Sequence, residues 1–147
     1  KNAEKLDPKI IDGYKKAIQG YEKLRNKNGY GLFWNAIIKA KEKVQKDLIL
    51  KVALKDEFVT PCTAGNLSYV GMEDGSIKPC KILPDTVGNI YKDKIKNIYN
   101  NKKSKSLRNE IVKSKCRCTY ECAMSTNSLF NFDQQKILLK QTLKDIL

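Results

Sequence analysis

The sequence predicts an α+β fold that is mostly helical: an N-terminal helix hairpin, a small β-hairpin beside a set of cysteines, and then C-terminal helices. Two observations predict this fold class. Apolar residues recur at three- and four-residue steps over much of the 147-residue chain, which is the period of an amphipathic helix. By contrast, the stretch PCTAGNLSYVGMEDGSIKPC at 61–80 contains the turn signals and apolar runs of a hairpin.

The first helix is predicted over residues 8–26. Asp7 is a suitable N-cap, and Pro8 fits the first helical position because its missing amide would have no partner there. One apolar stripe follows the helical period. It consists of Ile10, Tyr14, Ala17, Tyr21 and Leu24.

A second helix is predicted from about residue 32 to 55, after a turn at Asn28-Gly29. Its apolar stripe consists of Phe33, Ile37, Ala40, Val44, Leu48 and Val52, widened by Trp34 and Ile38. We expect the two helices to pack together and to form a segment, residues 1–57, that links to another domain or packs against it.

A β-hairpin is predicted around Asp74-Gly75, a strong two-residue hairpin signal. With these two residues as the loop, Glu73 faces Ser76, and counting outward places Cys80 opposite Tyr69. A bend at 64–66 is expected to fold the chain before it back toward the same end of the hairpin.

The remainder is predicted to be helical after a loop over 82–91. Helices are expected at 94–100, 104–114 and 123–130, and Asp133 is the expected N-cap of a final helix. The helix at 104–114 is expected to pack through Leu107, Ile111 and Val112. The face of the final helix consists of Ile137, Leu138, Leu139, Thr142, Leu143 and Ile146.

All five cysteines fall in two places: Cys62 and Cys80 flank the hairpin, and KCRCTYEC contains Cys116, Cys118 and Cys122. Thiolates from two distant segments are the soft ligands that zinc or an iron–sulfur cluster requires. An odd number of cysteines argues against a closed disulfide framework. Structural zinc sites usually carry two short Cys knuckles, and the first pair supplies none. Spacing alone leaves zinc, iron–sulfur and plain thiols open.

The chain is basic, with a net charge of +13. Residues 91–118 contribute +8, from ten Lys or Arg against two acids. A solvated helix face, an acidic partner or cluster, and a nucleic-acid surface each fit this pattern, with the solvated face favoured and nucleic acid least favoured. The cations expected to offset a negatively charged cluster are Lys78, Lys81, Lys115 and Arg117.

Few catalytic motifs are present. The chain has no histidine, which removes the commonest general base, and no Walker loop, nucleophile elbow or dinucleotide fingerprint. An autonomous hydrolase or transferase is therefore not expected. No apolar run approaches the length of a membrane span and no signal peptide opens the sequence, so we expect a cytoplasmic protein without membrane contact.

The pattern resembles the SPASM/twitch domain of radical SAM enzymes, which holds auxiliary iron–sulfur clusters. The resemblance is carried by Cys62, Gly75 and Cys80, by GNI at 88–90, and by a loop ending in Cys-x3-Cys. It covers about residues 58–130. A full SPASM pattern has seven or more cysteines for two clusters, so five suit a single, twitch-like [4Fe-4S] cluster.

The resemblance implies a ligand set drawn from the five cysteines. Cys62, Cys80 and Cys122 match the hairpin pair and the closing cysteine, and Cys116 and Cys118 compete for the fourth place. It also implies that 58–147 is the cluster-binding domain with a C-terminal helix. Such a cluster accepts or relays an electron, or positions a substrate.

The CxxxCxxC motif that binds the S-adenosylmethionine cluster is missing. The resemblance therefore implies the C-terminal part of a longer enzyme that is not catalytic alone. Its partners would be an N-terminal barrel of the same polypeptide, which holds S-adenosylmethionine and a second cluster, a peptide or protein substrate, and an electron donor. Two alternatives stay open: a zinc-stabilised interaction domain and a basic RNA-binding module.

Overall fold

A computed structural model describes residues 7–25 and 31–146 of the chain. Within these ranges, the elements in chain order are α1 (Pro8–Arg25), α2 (Leu32–Lys55), β1 (Val70–Gly71), β2 (Ser76–Lys78), β3 (Gly88–Asn89), α3 (Ile95–Asn100), α4 (Lys102–Lys113), α5 (Glu121–Leu129) and α6 (Phe132–Ile146). The predicted mostly helical α+β class is confirmed. The predicted Asn28-Gly29 turn lies outside the described residues. None of the described helices is long and apolar enough to cross a membrane.

The chain divides into two compact units. The helical unit comprises the described residues of Lys1–Thr60 together with those of Arg117–Leu147, and the sheet unit comprises Pro61–Cys116. The C-terminal helices α5 and α6 thus belong to the same compact unit as the N-terminal helices α1 and α2. The functional division into 1–57 and 58–147 stays a prediction.

The core of the helical unit forms around α2, which packs against α5 and α6. Five buried residues form this core: Val44, Leu48, Ile49, Val52 and Met124. Tyr14 of α1, Val59 and Leu138 of α6 pack around them. The core is therefore built on one long helix to which three others contribute.

The predicted stripe of α2 is confirmed in its C-terminal half, where Ala40, Val44, Leu48 and Val52 are buried. The prediction is wrong at the N-terminal end, where Phe33 and Trp34 are 58% and 60% exposed. The helical period places a residue on a face, but only a packed neighbour buries it.

The N-cap prediction for α1 is confirmed, because the Asp7 carboxylate accepts a hydrogen bond from the Lys9 amide at 2.8 Å. The predicted stripe is largely wrong. Ile10 and Leu24 are exposed, whereas Ile11, outside the stripe, is buried. The helix meets the core through Tyr14, which belongs to the predicted stripe, so the buried face keeps Tyr14 and is displaced toward Ile11.

The final helix begins at Phe132, two residues earlier than a cap at Asp133 requires. Asn131 is the capping residue, since its side-chain oxygen accepts hydrogen bonds from the amides of Asp133 at 3.0 Å and Gln134 at 3.1 Å. Leu138 packs against the core and Thr142 is buried. Ile137, Leu139 and Leu143 of the predicted face are exposed.

The sheet unit contains a three-stranded antiparallel sheet with the order β1-β2-β3. The residues at 88–89, predicted to be loop, instead pair with β2 as its third strand. A small core of four buried residues joins the sheet to α3 and α4. These residues are Ile77, Val87, Ile98 and Leu107, with Tyr69 packed against them.

The predicted hairpin register is wrong by one residue. Val70 pairs with Lys78 and Gly71 with Ile77, and the Met72 amide donates to the Ser76 carbonyl at 2.9 Å. The loop therefore has three residues, 73–75, and ends at Gly75 with φ of +78°. After the two-residue turn, a three-residue loop closed by a left-handed glycine is the next most common hairpin connection. It shifts the strand register relative to a two-residue loop.

The helices of the sheet unit agree with the predictions, and the break at 100–101 separates α3 from α4. Asn101 caps α4, since its side-chain oxygen accepts from the Ser104 amide at 2.7 Å. Leu107 and Ile111 are buried as predicted, but Val112 is 62% exposed.

Candidate metal centre

The segments that carry Cys62 and Cys80 converge within the sheet unit. After Cys62 the chain turns at Gly65, whose φ is +74° and whose amide donates to the Ser68 carbonyl at 2.8 Å. A Cβ atom at Gly65 would lie 3.3 Å from Cβ of Pro79. The turn that follows one cysteine therefore lies against the residue that precedes the other, as the sequence predicted.

Cys80 follows β2 at the end of the hairpin and is partly exposed. The backbone amide of Ile82 donates a hydrogen bond to its sulfur at 3.4 Å. Amide donors to cysteine sulfur stabilise negative charge there and help to set the reduction potential of an iron–sulfur cluster. The backbone that follows Cys80 thus places one amide donor against its sulfur.

Arg108 of α4 joins the elements around this turn. One of its terminal nitrogens, Nη1, donates to the Tyr69 hydroxyl at 3.0 Å, to the Tyr99 carbonyl at 2.8 Å and to the Gly65 carbonyl at 3.4 Å. Its guanidinium also lies over the Tyr99 ring, 4.3 Å from the centroid. In the sequence, Arg108 is one of the ten basic residues in 91–118, and no local signal identifies these contacts.

Cys116 follows the end of α4 and is placed by a Schellman-type ending. Lys115 adopts a left-handed conformation with φ of +48°. Its amide donates to the Val112 carbonyl, and the Cys116 amide donates to the Ile111 carbonyl, each at 3.1 Å. These paired bonds fix the direction in which the chain leaves the helix.

Cys118 and Cys122 belong to the helical unit. Cys118 lies in a segment without regular secondary structure, and Cys122 is the second residue of α5. The two cysteines therefore do not share one helix, because α5 begins after Cys118, at Glu121.

Arg117, between two of the cysteines in sequence, makes a two-pronged ion pair. Its Nε donates to Asp56 Oδ1 at 2.8 Å, and its Nη2 donates to Oδ2 at 2.6 Å. The two side chains are only 19% and 26% exposed. The Arg117 charge, predicted to offset that of a cluster, is thus balanced by the Asp56 carboxylate.

Glu121 begins α5, next to Cys122, and is held from α1 and α2. Its backbone carbonyl accepts a hydrogen bond from Gln45 Nε2 at 2.9 Å, and its carboxylate accepts one from the Tyr14 hydroxyl at 3.1 Å. Burial, followed by the hydrogen bond and negative charge of Glu121, raises the pKa of Tyr14 to about 12. Tyr14 therefore remains a donor at all ordinary pH values.

The GNI segment has a structural explanation at each position. A Cβ at Gly88 would lie 2.7 Å from the Ile98 side chain, so only glycine allows this approach. Asn89 donates from its side-chain amide to the Asp74 carbonyl at 2.9 Å, and the Ile90 amide donates to the Gly75 carbonyl at 2.9 Å. The segment thus ties the hairpin tip to the entrance of α3.

The donor set fits a metal centre in its chemistry: five thiols are present and the chain has no histidine. Among the residues that the structure describes, no three Cys, Asp or Glu side chains form a group that could hold a metal ion. The ligand assignment to Cys62, Cys80, Cys116, Cys118 and Cys122 stays a prediction.

Comparison with known proteins supports the same kind of centre. Residues 58–123 match the SPASM family, described as an iron–sulfur cluster-binding domain. The resemblance seen in the sequence is thereby confirmed for these residues, and the match implies that this part of the chain binds an iron–sulfur cluster. Neither a curated relative nor a solved structure matches the chain.

Proposed function

We propose that this chain is the auxiliary [4Fe-4S] cluster domain of a radical SAM enzyme, where it supports electron transfer and substrate positioning. The observation that carries the proposal is the SPASM match over 58–123. All five cysteines of the chain fall inside the matched residues. Zinc and RNA binding have no comparable support, although a structural zinc site is an outcome of the test below.

The proposed ligands are Cys62, Cys80 and Cys122, with Cys116 or Cys118 as the fourth. The contact of Gly65 with Pro79 supports the first pair, since it draws their segments together. Full ligation by four cysteines leaves no iron open to substrate, and a bound cluster of this kind supplies one-electron transfer. We therefore favour an electron-transfer role over direct substrate binding.

The remaining components of the reaction belong to the proposed N-terminal barrel of the same polypeptide, with S-adenosylmethionine and a second cluster. The substrate class we propose is a peptide or protein, with a separate electron donor, in the cytoplasm. The absence of histidine from this sequence favours an auxiliary role over a catalytic one, because the commonest general base is missing.

The test is anaerobic purification and reconstitution of the full chain, followed by absorption spectroscopy and by iron, sulfide and zinc analysis. We expect broad absorption near about 400 nm and about four iron and four sulfide per chain. A colourless protein that retains zinc after the same treatment would contradict the proposal in favour of a structural zinc site.

Single Cys→Ser variants identify the ligands. We expect Cys62→Ser, Cys80→Ser and Cys122→Ser each to lower iron content strongly, because a hydroxyl is a poor ligand for iron in a thiolate cluster. Of Cys116→Ser and Cys118→Ser, one should lose iron and the other should retain it. If all five variants retained as much iron as wild type, the assignment of the cluster to these cysteines would be wrong.

A further inference from the structure

The segment 117–120 has no regular secondary structure, yet hydrogen bonds fasten both of its ends to α2. Arg117 at one end is bound by Asp56, which directly follows α2. Glu121 at the other end is bound through its carbonyl by Gln45, a buried residue in the middle of the same helix. Cys118 lies between these two attachments, and Cys122 directly follows the second.

We propose that Asp56 and Gln45 are positioning residues for the cluster: they clamp the 117–121 segment along α2 and so place Cys118 and Cys122 for ligation. The proposal rests on the function proposed above. It assigns a role to residues outside the 58–123 match, since both lie N-terminal to it. The N-terminal helices would then be part of the ligand scaffold.

The Asp56 attachment is rigid at both partners. Asp56 has φ of +50° and its amide donates to the Val52 carbonyl at 2.9 Å, which fixes it at the end of α2. The guanidinium of Arg117 uses two nitrogens on two carboxylate oxygens. This fork restricts rotation as well as distance, because both planar groups must stay aligned.

The two attachments lie further apart along α2 than the backbone between them can reach alone. Residues 45 and 56 are eleven helical steps apart, or about 16 Å along α2 at about 1.5 Å per residue. The four steps from 117 to 121 span at most about 14 Å. The side chains of Arg117 and Gln45 therefore bridge the remaining distance at the two ends of the segment.

This arrangement has a consequence for cluster binding. Ordering a flexible segment at the moment of binding opposes binding, because each residue that is fixed loses conformational entropy. A segment already held on α2 has lost that freedom during folding. Loss of the clamp should therefore weaken cluster retention without removing any thiol.

The conformation of Asp56 allows a clean test. Asn and Gly adopt the left-handed conformation as readily as Asp, so Asp56→Asn and Asp56→Gly keep the helix ending while removing the ion pair. Asp47→Asn is the matched control, since Asp47 is an exposed carboxylate on the same helix. Arg117→Lys keeps the positive charge but loses the fork.

Two measurements are made on the full chain under anaerobic conditions. The first is amide hydrogen exchange of 117–122 in the cluster-free protein, where we expect about tenfold faster exchange in Asp56→Asn than in wild type. The second is the rate of iron loss from the reconstituted protein to a chelator. We expect it to rise about tenfold in Asp56→Asn and Asp56→Gly, less in Arg117→Lys, and not in Asp47→Asn.

The outcomes separate this proposal from the proposed function. If the wild-type protein takes up no iron, the proposed function is wrong. The amide hydrogen exchange of the cluster-free protein then still decides whether the clamp exists. A wild-type protein that holds its cluster, with Asp56→Asn matching Asp47→Asn in both measurements, overturns the positioning role. If circular dichroism shows that the Asp56 variants do not fold, Arg117→Gln replaces them, because it leaves the end of α2 intact.

Discussion

The two units of this chain are stabilised in different ways. The helical unit has a core of five buried residues, four of which come from α2. The sheet unit has four buried residues spread over short elements, and polar contacts through Asn89, Asn101 and Arg108 connect those elements. The helical unit therefore depends mainly on the apolar side chains that α2 buries. The sheet unit depends more on hydrogen bonds and close contacts made by single residues.

This difference determines which substitutions each unit tolerates. A long apolar stripe loses stability in proportion to the side-chain volume removed from it. A sheet of two- and three-residue strands has little apolar area, so a single clash or an unpaired polar group affects it strongly. We therefore expect truncation of buried side chains to destabilise the helical unit. In the sheet unit, we expect added side-chain atoms or lost hydrogen bonds to be destabilising.

The largest effect is expected for Leu48→Ala in α2. Leu48 is 3% exposed within the core, and removing such a side chain leaves a cavity that lowers the free energy of unfolding by about 3 kcal/mol. Denaturant unfolding followed by circular dichroism measures the change. Leu54→Ala is the control: Leu54 lies in the same helix but is 48% exposed, and a similar loss there would show that burial does not distinguish them.

The next effect is expected for Gly88→Ala in β3. The added methyl group would lie 2.7 Å from Ile98, a buried residue of the sheet unit, and overpacking of this kind lowers the free energy of unfolding by about 2 kcal/mol. Hydrogen exchange resolved along the chain should show lost protection within 61–116 first.

Gly71→Ala is the matched control for the Gly88 variant. Gly71 lies in β1 of the same sheet, and an added Cβ would make ordinary contact, 3.7 Å from the Ile77 side chain. We expect no comparable loss of protection there. Equal losses in both variants would attribute the effect to β-strand propensity rather than to the close approach.

A smaller loss is expected for Asn101→Ala. This change removes the N-cap of α4 and also the donor to the Val87 carbonyl, which lies 2.7 Å away. The free energy of unfolding of the sheet unit should fall by about 1–2 kcal/mol. Asn109→Ala, at an exposed position within α4, should leave it almost unchanged in the same thermal melt.

The smallest effect is a dependence on alkaline pH that arises from Tyr14. The pKa of Tyr14 is raised from 10.0 to about 12 by burial and by Glu121. Its protonated form is favoured in the folded state, so this stabilisation is complete below pH 10 and is lost as pH rises toward 12. Comparing the free energy of unfolding of wild type and Tyr14→Phe between pH 9 and 12 isolates the contribution of Tyr14. Parallel pH profiles would show that the hydrogen bond to Glu121 does not contribute.

The sequence by itself determined the features that depend on local signals. The helical period predicted the helices, and Asp7 was identified as an N-cap because capping needs only the next two or three residues. Five thiols without a histidine limited the candidate site to soft-ligand chemistry, and their spacing with Gly75 and GNI led to the family.

The tertiary structure decided what depends on distant partners. Phe33 and Trp34 lie on the predicted face but are exposed, because burial requires a neighbouring element and period alone does not supply one. The hairpin register changed because Gly75 closes a three-residue loop. The sequence predicts that Arg117 offsets the charge of a cluster, yet its partner is Asp56, 61 residues away in sequence. Contacts across such separations leave no periodic trace in the amino-acid sequence, so only the folded chain reveals them.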